Sequence, residues 1–285
     1  ATNTKEYWFV GDPDQTIFEF AGANARKFYE LSKGAKELEQ GYRCSKTINS
    51  LCKQIIKPIW DHYKTHRIWK PTDVLGNHYH LPNLQINCSA MQILINKIKN
   101  TNETFLFTYR GTPSDSWVKK FFKQHGIEFA HVGNSAHVSK KEIRCHKYWP
   151  DFIKGKPMSL KQIKDFWDYM GSKVIMHGKG DPKCFDGWIN KDYTIDELID
   201  KKYLKADSVQ YDDFASTRTQ TDQDRILYIR MILKKGFDTE GDVRVKYANI
   251  HTVKGLTFDN VVVDLTRTRV EEYFTQLRLK YVAYS

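Results

Sequence analysis

Apolar residues follow two different periods along the chain. In some short runs nearly every side chain is apolar, whereas in other segments apolar residues return every three or four positions. The first pattern predicts buried strands and the second predicts amphipathic helices. The predicted strands are 6–11, 105–109, 127–132, 243–250 and 261–265, and the predicted helices are 22–32, 45–57, 91–99 and a segment around Val118. Because strands and helices alternate, we predict an α/β fold with a parallel sheet flanked by helices.

The stretch 150–236 departs from this alternation. Its strand signal fades, and apolar residues recur at helical spacing, as in Leu160, Ile163 and Trp167. We therefore predict a mainly helical insertion, with a basic loop rich in glycine at 177–182. The sheet is expected to resume after this insertion.

The helix predicted after Ser45 is amphipathic. The Ser45 hydroxyl suits the position before a first helical turn, because it can accept a hydrogen bond from a backbone amide. We expect the helix to end before Pro58, since proline lacks the amide hydrogen that a helix interior needs. Residues 59–87 carry no sustained period, so we predict a loop there, with a short strand at 84–86 as the one exception.

Length, composition and charge narrow the range of functions. A chain of 285 residues with 40% hydrophobic residues can form two domains, or one domain with a large insertion. Lys and Arg number 45 against 34 Asp and Glu, and the net charge of +11 favours a polyanionic partner, with nucleic acid first. The 16 Tyr, 16 Phe and 7 Trp add rings that can stack on unpaired bases, although most must fill the interior.

Cysteine and histidine usage gives no sign of a metal centre. The five cysteines are odd in number and show no CxxC spacing, so neither a disulfide framework nor a zinc ribbon is indicated. His78 and His80, like the adjacent Cys145 and His146, lack a second ligand pair, and we predict no metal site. No apolar stretch approaches the length that spans a bilayer and the N-terminus lacks a secretory pattern, so we predict a cytoplasmic protein without a membrane partner.

The run GDPDQTIF, which ends at Phe18, carries the first candidate chemistry. The Gln15 amide can donate a hydrogen bond to a phosphate oxygen and orient a water molecule. Alternatively, Asp12 and Asp14 cap a turn in which Gln15 is an ordinary loop amide. Phe18 and Phe20 are two residues apart, which places both rings on one face of an extended segment, where they can stack on bases or where one ring can be core.

Two further segments carry groups that suit phosphate. Tyr42 and Arg43 precede Ser45 and its predicted helix, and a guanidinium beside a helix N-terminus suits a bound anion. The run HTVKGLTF, residues 251–258, places imidazole, hydroxyl, ammonium and a glycine in one loop after a strand. Such groups can follow a nucleic-acid backbone while the adjoining turn touches a nucleotide. The alternative is that Lys254 is a solvated turn lysine.

Together, GDPDQTIF, the Tyr42-Arg43 pair and HTVKGLTF resemble motifs III, IV and V of the UvrD/Rep/PcrA group of superfamily 1 DNA helicases. Segments 126–129 and 142–144 resemble landmarks of the second lobe of that family. The resemblance implies a RecA-like P-loop NTPase fold, namely the second RecA-like lobe with a helical insertion plus the tail of the first lobe. The implied domains are 1–41 (first-lobe remnant with motif III), 42–149 (second lobe, first part, with motif IV), 150–236 (insertion resembling the 2B subdomain) and 237–285 (second lobe, second part, with motif V and the start of motif VI).

The same resemblance implies roles for individual residues. The nucleotide-binding residues would be Gln15, Tyr42 (stacking on adenine), Arg43, Gly255 and Thr257, and the DNA-binding residues would be Phe18, Phe20, Arg110, His251, Thr252 and Lys254. Two of them, Gln15 and Arg43, would contact the γ-phosphate as catalytic residues. Ala21 stands where the family has an arginine, and Thr257 stands where a glutamate bonds the ribose, so one DNA contact and sugar recognition depart from the pattern. For Arg110, a structural salt bridge is an equally open alternative.

Several parts of the family's catalytic machinery do not occur in these 285 residues. There is no GxxxxGK[ST] motif, no acidic DExx box precedes residue 6, and the sequence stops at Ser285, one position before the arginine finger of motif VI. We therefore expect a fragment of a longer protein. ATP and Mg²⁺ are the expected cofactors of the intact parent, with none bound tightly to this chain, which is expected to be inactive by itself.

The leading hypothesis is that the parent is an ATP-dependent helicase or translocase on single-stranded DNA, moving 3′ to 5′. Its other partners would be duplex junctions and the missing first lobe. An alternative of a different class is a non-catalytic nucleic-acid-binding or regulatory module that retains the helicase surface. A third interpretation, an RNA helicase of the same superfamily, agrees less well with GDPDQTIF and HTVKGLTF.

Overall fold

Buried and amphipathic runs of the sequence fold as alternating strands and helices in the computed structural model. The structure describes residues 10–80, 89–110, 112–176, 184–220, 222–235, 241–264 and 273–285, without the side chains at positions 20, 89–90 and 112–116. Contacts divide the chain into two compact units. The first consists of Ala1–Leu94, Glu103–Ser116 and Tyr247–Ser285, and the second consists of Ile95–Asn102 and Trp117–Lys246.

Helices and strands have the following bounds. The helices of the described residues are α1 (Ala25–Leu31), α2 (Lys46–Tyr63), α3 (Ser89–Asn100), α4 (Thr112–His125), α5 (Lys140–Phe152), α6 (Leu160–Tyr169), α7 (Ile195–Asp200), α8 (Gln223–Lys235), α9 (Ile250–Val253) and α10 (Tyr273–Tyr284). The strands are β1 (Phe105–Tyr109), β2 (Phe129–His131), β3 (Met158–Ser159), β4 (Asp192–Tyr193), β5 (Val245–Asn249) and β6 (Asn260–Asp264). Short 3₁₀ helices lie at Pro13–Gln15, Glu19–Ala21, Ala206–Gln210 and Phe214–Thr217.

Four strands form one sheet in the order β2, β5, β1, β6. Neighbours in the sheet are not neighbours along the chain, so longer connections must cross between them. β1 and β6 pair in parallel, with Phe105 opposite Asn260 and Tyr109 opposite Asp264. All five residues of β1 are buried, as expected of a strand covered on both faces. The predicted α/β fold with a parallel sheet flanked by helices is confirmed.

In the first unit, α2 and α10 form the centre of the hydrophobic core. Apolar side chains from the segment after Gln15, from α1 and from α9 join them. The buried core residues are Ile17, Ala25, Tyr29, Cys52, Ile56, Ile59, Trp60, Ile250, Leu279, Tyr281, Val282 and Ala283. Because Ile17 and α10 share this core, removal of apolar surface from water holds the Gln15 segment near α10.

Helix α2 runs through Pro58, so the prediction that it ends before this residue is wrong. Its start is as predicted, with Ser45 Oγ accepting a hydrogen bond from the Ile48 amide at 3.4 Å. Proline removes one backbone hydrogen bond from the helix. Beyond it, however, Ile59 and Trp60 are buried in the core, and the free energy gained by burying two large side chains outweighs that loss.

Between residues 150 and 235, the described part of the second unit contains the end of α5, helices α6, α7 and α8, two short 3₁₀ helices and the strands β3 and β4. Helices α5 and α6 pack around Trp149, Phe152, Phe166 and Phe214, whose ring centroids lie 5.6 to 6.1 Å apart in the contacting pairs. The antiparallel pair β3–β4 was not predicted, because strands of two residues leave no periodic signal in the sequence.

Most other predicted elements can be compared with the described residues. Strands predicted at 105–109, 127–132, 243–250 and 261–265 are found as β1, β2, β5 and β6, and helices predicted at 22–32, 91–99 and around Val118 are found as α1, α3 and α4. Of the strand predicted at 6–11, only Val10 and Gly11 are described, and neither lies in a strand. The strand at 84–86 and the loop at 177–182 lie outside the described residues. Within that described part, no helix has both the length and the apolar composition that crossing a bilayer requires.

Candidate functional site

The turn that holds Gln15 is built by Asp12. One carboxylate oxygen of Asp12 accepts a hydrogen bond from the Asp14 amide at 3.0 Å, and Pro13 occupies the first helical position, so a short 3₁₀ turn forms. The other oxygen accepts a hydrogen bond from the Gln15 carboxamide Nε2 at 2.9 Å. Asp12 therefore fixes both the turn and the direction of the Gln15 side chain.

A buried ionic network lies beneath this turn. Asp14 is fully buried and accepts hydrogen bonds from Trp60 Nε1 at 2.8 Å, from Arg67 Nη1 at 3.1 Å and from the Tyr29 hydroxyl. Arg67 Nη1 also donates to Asp12 Oδ1 at 2.5 Å. Burial, followed by the charge of Asp12, raises the pKa of Asp14 against the effect of the hydrogen bonds it accepts. Arg67 was not predicted as a site residue, because its segment has neither a hydrophobic period nor a recognisable motif.

Segments that are far apart in the sequence line one cavity of about 280 Å³ in the first unit. Its lining includes the predicted nucleotide residues Gln15, Tyr42, Arg43 and Gly255, together with Ser285. Tyr42 is 85% exposed, so its ring is open to solvent. The Arg43 side chain is also exposed, and among the described residues it forms no hydrogen bond or ion pair. The cavity thus offers an exposed guanidinium, a carboxamide and an aromatic face.

Lys254 joins the loop after α9 to the Gln15 segment. Its Nζ donates a hydrogen bond to the Gln15 carbonyl oxygen at 3.0 Å and lies 6.0 Å from the centroid of the Phe18 ring. Gly255 follows with a φ of +87°, a left-handed conformation that residues with a Cβ rarely adopt. The turn therefore holds the Lys254 amine against the Gln15 carbonyl oxygen. The alternative interpretation, a lysine that contacts only solvent, does not include this hydrogen bond.

An aromatic surface adjoins this contact. The Phe18 ring is 36% exposed, and its centroid lies 5.5 Å from that of His251 at an interplanar angle of 49°. His251 also lines a second cavity of about 440 Å³, whose other lining residues include Glu19 and Tyr63. Burial, and then the charge of Arg110, lower the pKa of His251, so its imidazole is neutral near neutral pH.

Three other predicted site residues, Arg110, Thr252 and Thr257, do not line these cavities. Arg110 is only 8% exposed, which leaves little of its guanidinium for contact with a DNA phosphate. Thr252 and Thr257 are exposed but line neither cavity. The side chain of Phe20 lies outside the described residues. The structure therefore brings together the residues predicted to face phosphate and base, but not the one at the ribose position.

The groups at the first cavity are of types that can bind a phosphate and an aromatic base. A guanidinium binds phosphate oxygens through two parallel hydrogen bonds, and a carboxamide can donate to them. An exposed phenol ring can stack on a base. Among the described residues, no group of three or more His, Cys, Asp or Glu side chains is placed to hold a metal ion.

Comparisons of the chain with protein-family models and with curated protein sequences find no match. The resemblance to superfamily 1 helicases is therefore carried by the motifs and by their placement around one cavity. It stays a prediction.

Proposed function

We propose that this chain is the C-terminal portion of an ATP-dependent helicase or translocase that acts on single-stranded DNA, moving 3′ to 5′ in the cytoplasm. The observation that supports it most is the cavity shared by Gln15, Tyr42, Arg43 and Gly255. A common ligand would use the polar groups that the shared core brings together there from both ends of the chain. Ser285 lines the same cavity.

The cavity residues would act on the nucleotide in distinct ways. In the intact parent, binding of ATP with Mg²⁺ would close the two RecA-like lobes and hydrolysis of ATP would reopen them. Arg43 neutralises charge on the terminal phosphate, and Gln15 turns its amide from Asp12 towards that phosphate or an attacking water. Tyr42 stacks on the base, and the backbone at Gly255, which lacks a Cβ, allows close approach.

The aromatic surface is the proposed contact with single-stranded DNA. Phe18 stacks on a base, while Lys254 and the net charge of +11 attract phosphates. Neutral His251 can donate a hydrogen bond to the DNA backbone. Because Lys254 contacts both the Gln15 carbonyl and the Phe18 ring, it joins the DNA surface to the nucleotide cavity. Duplex junctions and the first RecA-like lobe are the other proposed partners.

Titration of single-stranded DNA and RNA of the same sequence, at several salt concentrations, tests this proposal. We expect weak, salt-dependent binding to DNA, weaker binding to RNA, and no ATP turnover by the pure chain. Equal affinity for RNA would favour an RNA helicase of the same superfamily. Failure to bind either polymer, or robust hydrolysis by the pure chain, would rule the proposal out.

A non-catalytic nucleic-acid-binding module is the second candidate. The hydrogen bond from Gln15 to Asp12 favours it, because the carboxamide is already used inside its own turn. Photolabelling with azido-ATP of the Gln15→Ala variant separates the two candidates. If Gln15 contacts phosphate, labelling falls while DNA binding is unchanged. If Gln15 only stabilises the turn, labelling of the folded variant equals that of the wild type.

A further inference from the structure

Two side chains of α10 hold Glu19. Its Oε1 accepts a hydrogen bond from Arg278 Nη1 at 2.6 Å, and its Oε2 accepts one from Thr275 Oγ1 at 2.5 Å. Thr275 and Arg278 are three residues apart and therefore lie on one face of the helix. Both oxygens of the Glu19 carboxylate are thus engaged by the same helix face.

The buried position of Arg278 lowers the stability of the fold. It is 2% exposed, and Leu279 and Val282 beside it belong to the hydrophobic core. Its Nε and Nη2 have no hydrogen-bond partner among the described residues. A buried charge with unsatisfied donors destabilises a fold relative to an apolar side chain of similar size. Stability alone therefore does not explain why the Glu19–Arg278 pair is present.

The pair lies next to the aromatic surface. Glu19 directly follows Phe18, whose carbonyl oxygen accepts hydrogen bonds from the amides of Ala21 at 2.9 Å and Ala23 at 3.2 Å. Gly22 adopts a φ of +89°, which this tight turn requires. Because the turn is closed by these bonds, a shift of Glu19 also moves the Phe18 backbone.

The other end of α10 reaches the nucleotide cavity. Tyr281, Val282 and Ser285 line that cavity, and the Tyr281 hydroxyl donates a hydrogen bond to Asp12 Oδ2 at 3.4 Å. One helix therefore contacts Glu19 near its start and the turn of Gln15 near its end. It provides a direct physical connection between the two proposed binding surfaces.

We propose that Glu19 and Arg278 are positioning residues, which hold the Phe18 ring for stacking on single-stranded DNA and link its position to the nucleotide cavity through α10. This inference deepens the proposed function and rests on it. The pair acts through Phe18, because a Glu19 carboxylate would repel the phosphates of DNA rather than bind them.

A double-mutant cycle on the complete chain tests the inference. Binding of normal and abasic single-stranded DNA is measured by fluorescence anisotropy for the wild type, Glu19→Gln, Phe18→Leu and the double variant. We expect the wild type to prefer normal over abasic DNA by about tenfold, and Glu19→Gln to lose most of this preference. The double variant should bind no more weakly than Phe18→Leu alone. Because Glu19→Gln removes a negative charge, electrostatics alone would instead strengthen its binding.

Asp61→Asn is the matched control, because it removes the same charge from an exposed ion pair with Lys57 in the same unit. It should retain the full preference for normal DNA. Thr275→Val removes the second hydrogen bond to Glu19 and leaves the Glu19–Arg278 ion pair in place. This variant replaces Glu19→Gln in the experiment if Glu19→Gln does not fold. It should lose part of the preference. Thermal unfolding establishes which variants are folded.

The outcomes separate the inference from the proposed function. If the wild type prefers normal DNA and the folded Glu19 and Thr275 variants keep that preference, the inference is overturned and the proposed function stands. DNA binding without any preference over abasic DNA also overturns the inference. If the wild type binds no single-stranded DNA, the inference and the proposed function are both overturned.

Discussion

Both compact units bury carboxylates paired with arginine, but among the described residues they complete the pairs differently. In the second unit, Glu142 accepts hydrogen bonds from Arg225 at 2.5 and 3.0 Å and from Arg218 at 3.2 Å. Each arginine also donates to a backbone carbonyl, Arg225 to that of His137 and Arg218 to that of Tyr169. The ionic groups of this cluster satisfy one another.

In the first unit, arginines keep unused hydrogen-bonding capacity. Arg278 has two nitrogens without a partner, and Arg43 forms neither a hydrogen bond nor an ion pair among the described residues. Donors without partners cost stability when they are buried and suit a ligand when they line a cavity. The comparison indicates that the Glu142 cluster of the second unit serves stability, as the buried Asp14–Arg67 pair of the first unit does, whereas Arg43 and Arg278 keep donors that the fold itself does not use.

The largest expected effect is that of replacing Glu142 on the free energy of unfolding. Burial would raise the pKa of Glu142, but the hydrogen bonds and charges of Arg225 and Arg218 hold it below its ordinary value. Glu142→Gln leaves two partly buried arginines without a counter-charge, so we expect the free energy of unfolding to fall by about 3 kcal/mol in urea titrations. Asp151→Asn, which breaks an exposed pair with Lys156, should change it by less than about 0.5 kcal/mol. Equal effects of the two substitutions would remove the basis of the comparison.

A smaller expected effect is that of His146, in the second unit, on how the free energy of unfolding depends on pH. Its Nδ1 lies 3.9 Å from Asp213 Oδ1, and burial lowers its pKa to about 4 from 6.5, against the charges of Asp213 and Glu142. The folded state disfavours the protonated imidazole. The contribution of neutral His146 to the free energy of unfolding is therefore complete above pH 6.5 and is lost as pH falls towards about 4. Across this pH interval, we expect the free energy of unfolding to fall by about 2 kcal/mol more in the wild type than in His146→Phe. Urea unfolding at several pH values measures this difference. Parallel pH profiles for the two proteins would show that His146 is not the titrating group.

The smallest expected effect is on DNA binding by the first unit. Lys254→Gln should weaken binding to single-stranded DNA by about 1 kcal/mol and lower the slope of the logarithmic salt dependence by about one. Lys36→Gln removes the same charge from an exposed lysine that lines neither cavity, and it should leave the slope nearly unchanged. An equal change for both lysines would show that only net charge matters.

Most of the regular structure could be predicted from the sequence, because hydrophobic periodicity reports directly which residues are buried. Strand β1 was predicted with the bounds that it has in the structure. Helix α2 shows the limit of local signals. Pro58 is a strong signal for a helix end, but the burial of Ile59 and Trp60 is a tertiary effect that a local signal does not contain.

The candidate site could be predicted only in part. Gln15 and Arg43 were identified because their residue types and neighbours form recognisable motifs. Arg67 and Arg278 were not assigned roles, because their importance depends on partners that are distant in the sequence. Arg278 and Glu19, for example, are 259 positions apart. Such pairs can be recognised only in the folded structure, in which the core brings α10 and the Gln15 segment together.

Mapping where azido-ATP labels the chain tests the central claim most directly. The chain is photolabelled, and the labelled peptides are identified by mass spectrometry for the wild type, Arg43→Ala and the control Arg26→Ala, which removes an exposed arginine paired with Glu30. We expect labels on the peptides that contain Tyr42 and Gly255, reduced about tenfold by Arg43→Ala and unchanged by Arg26→Ala. Labels spread without enrichment at these peptides, or unaffected by Arg43→Ala in a folded protein, would contradict a nucleotide site at this cavity.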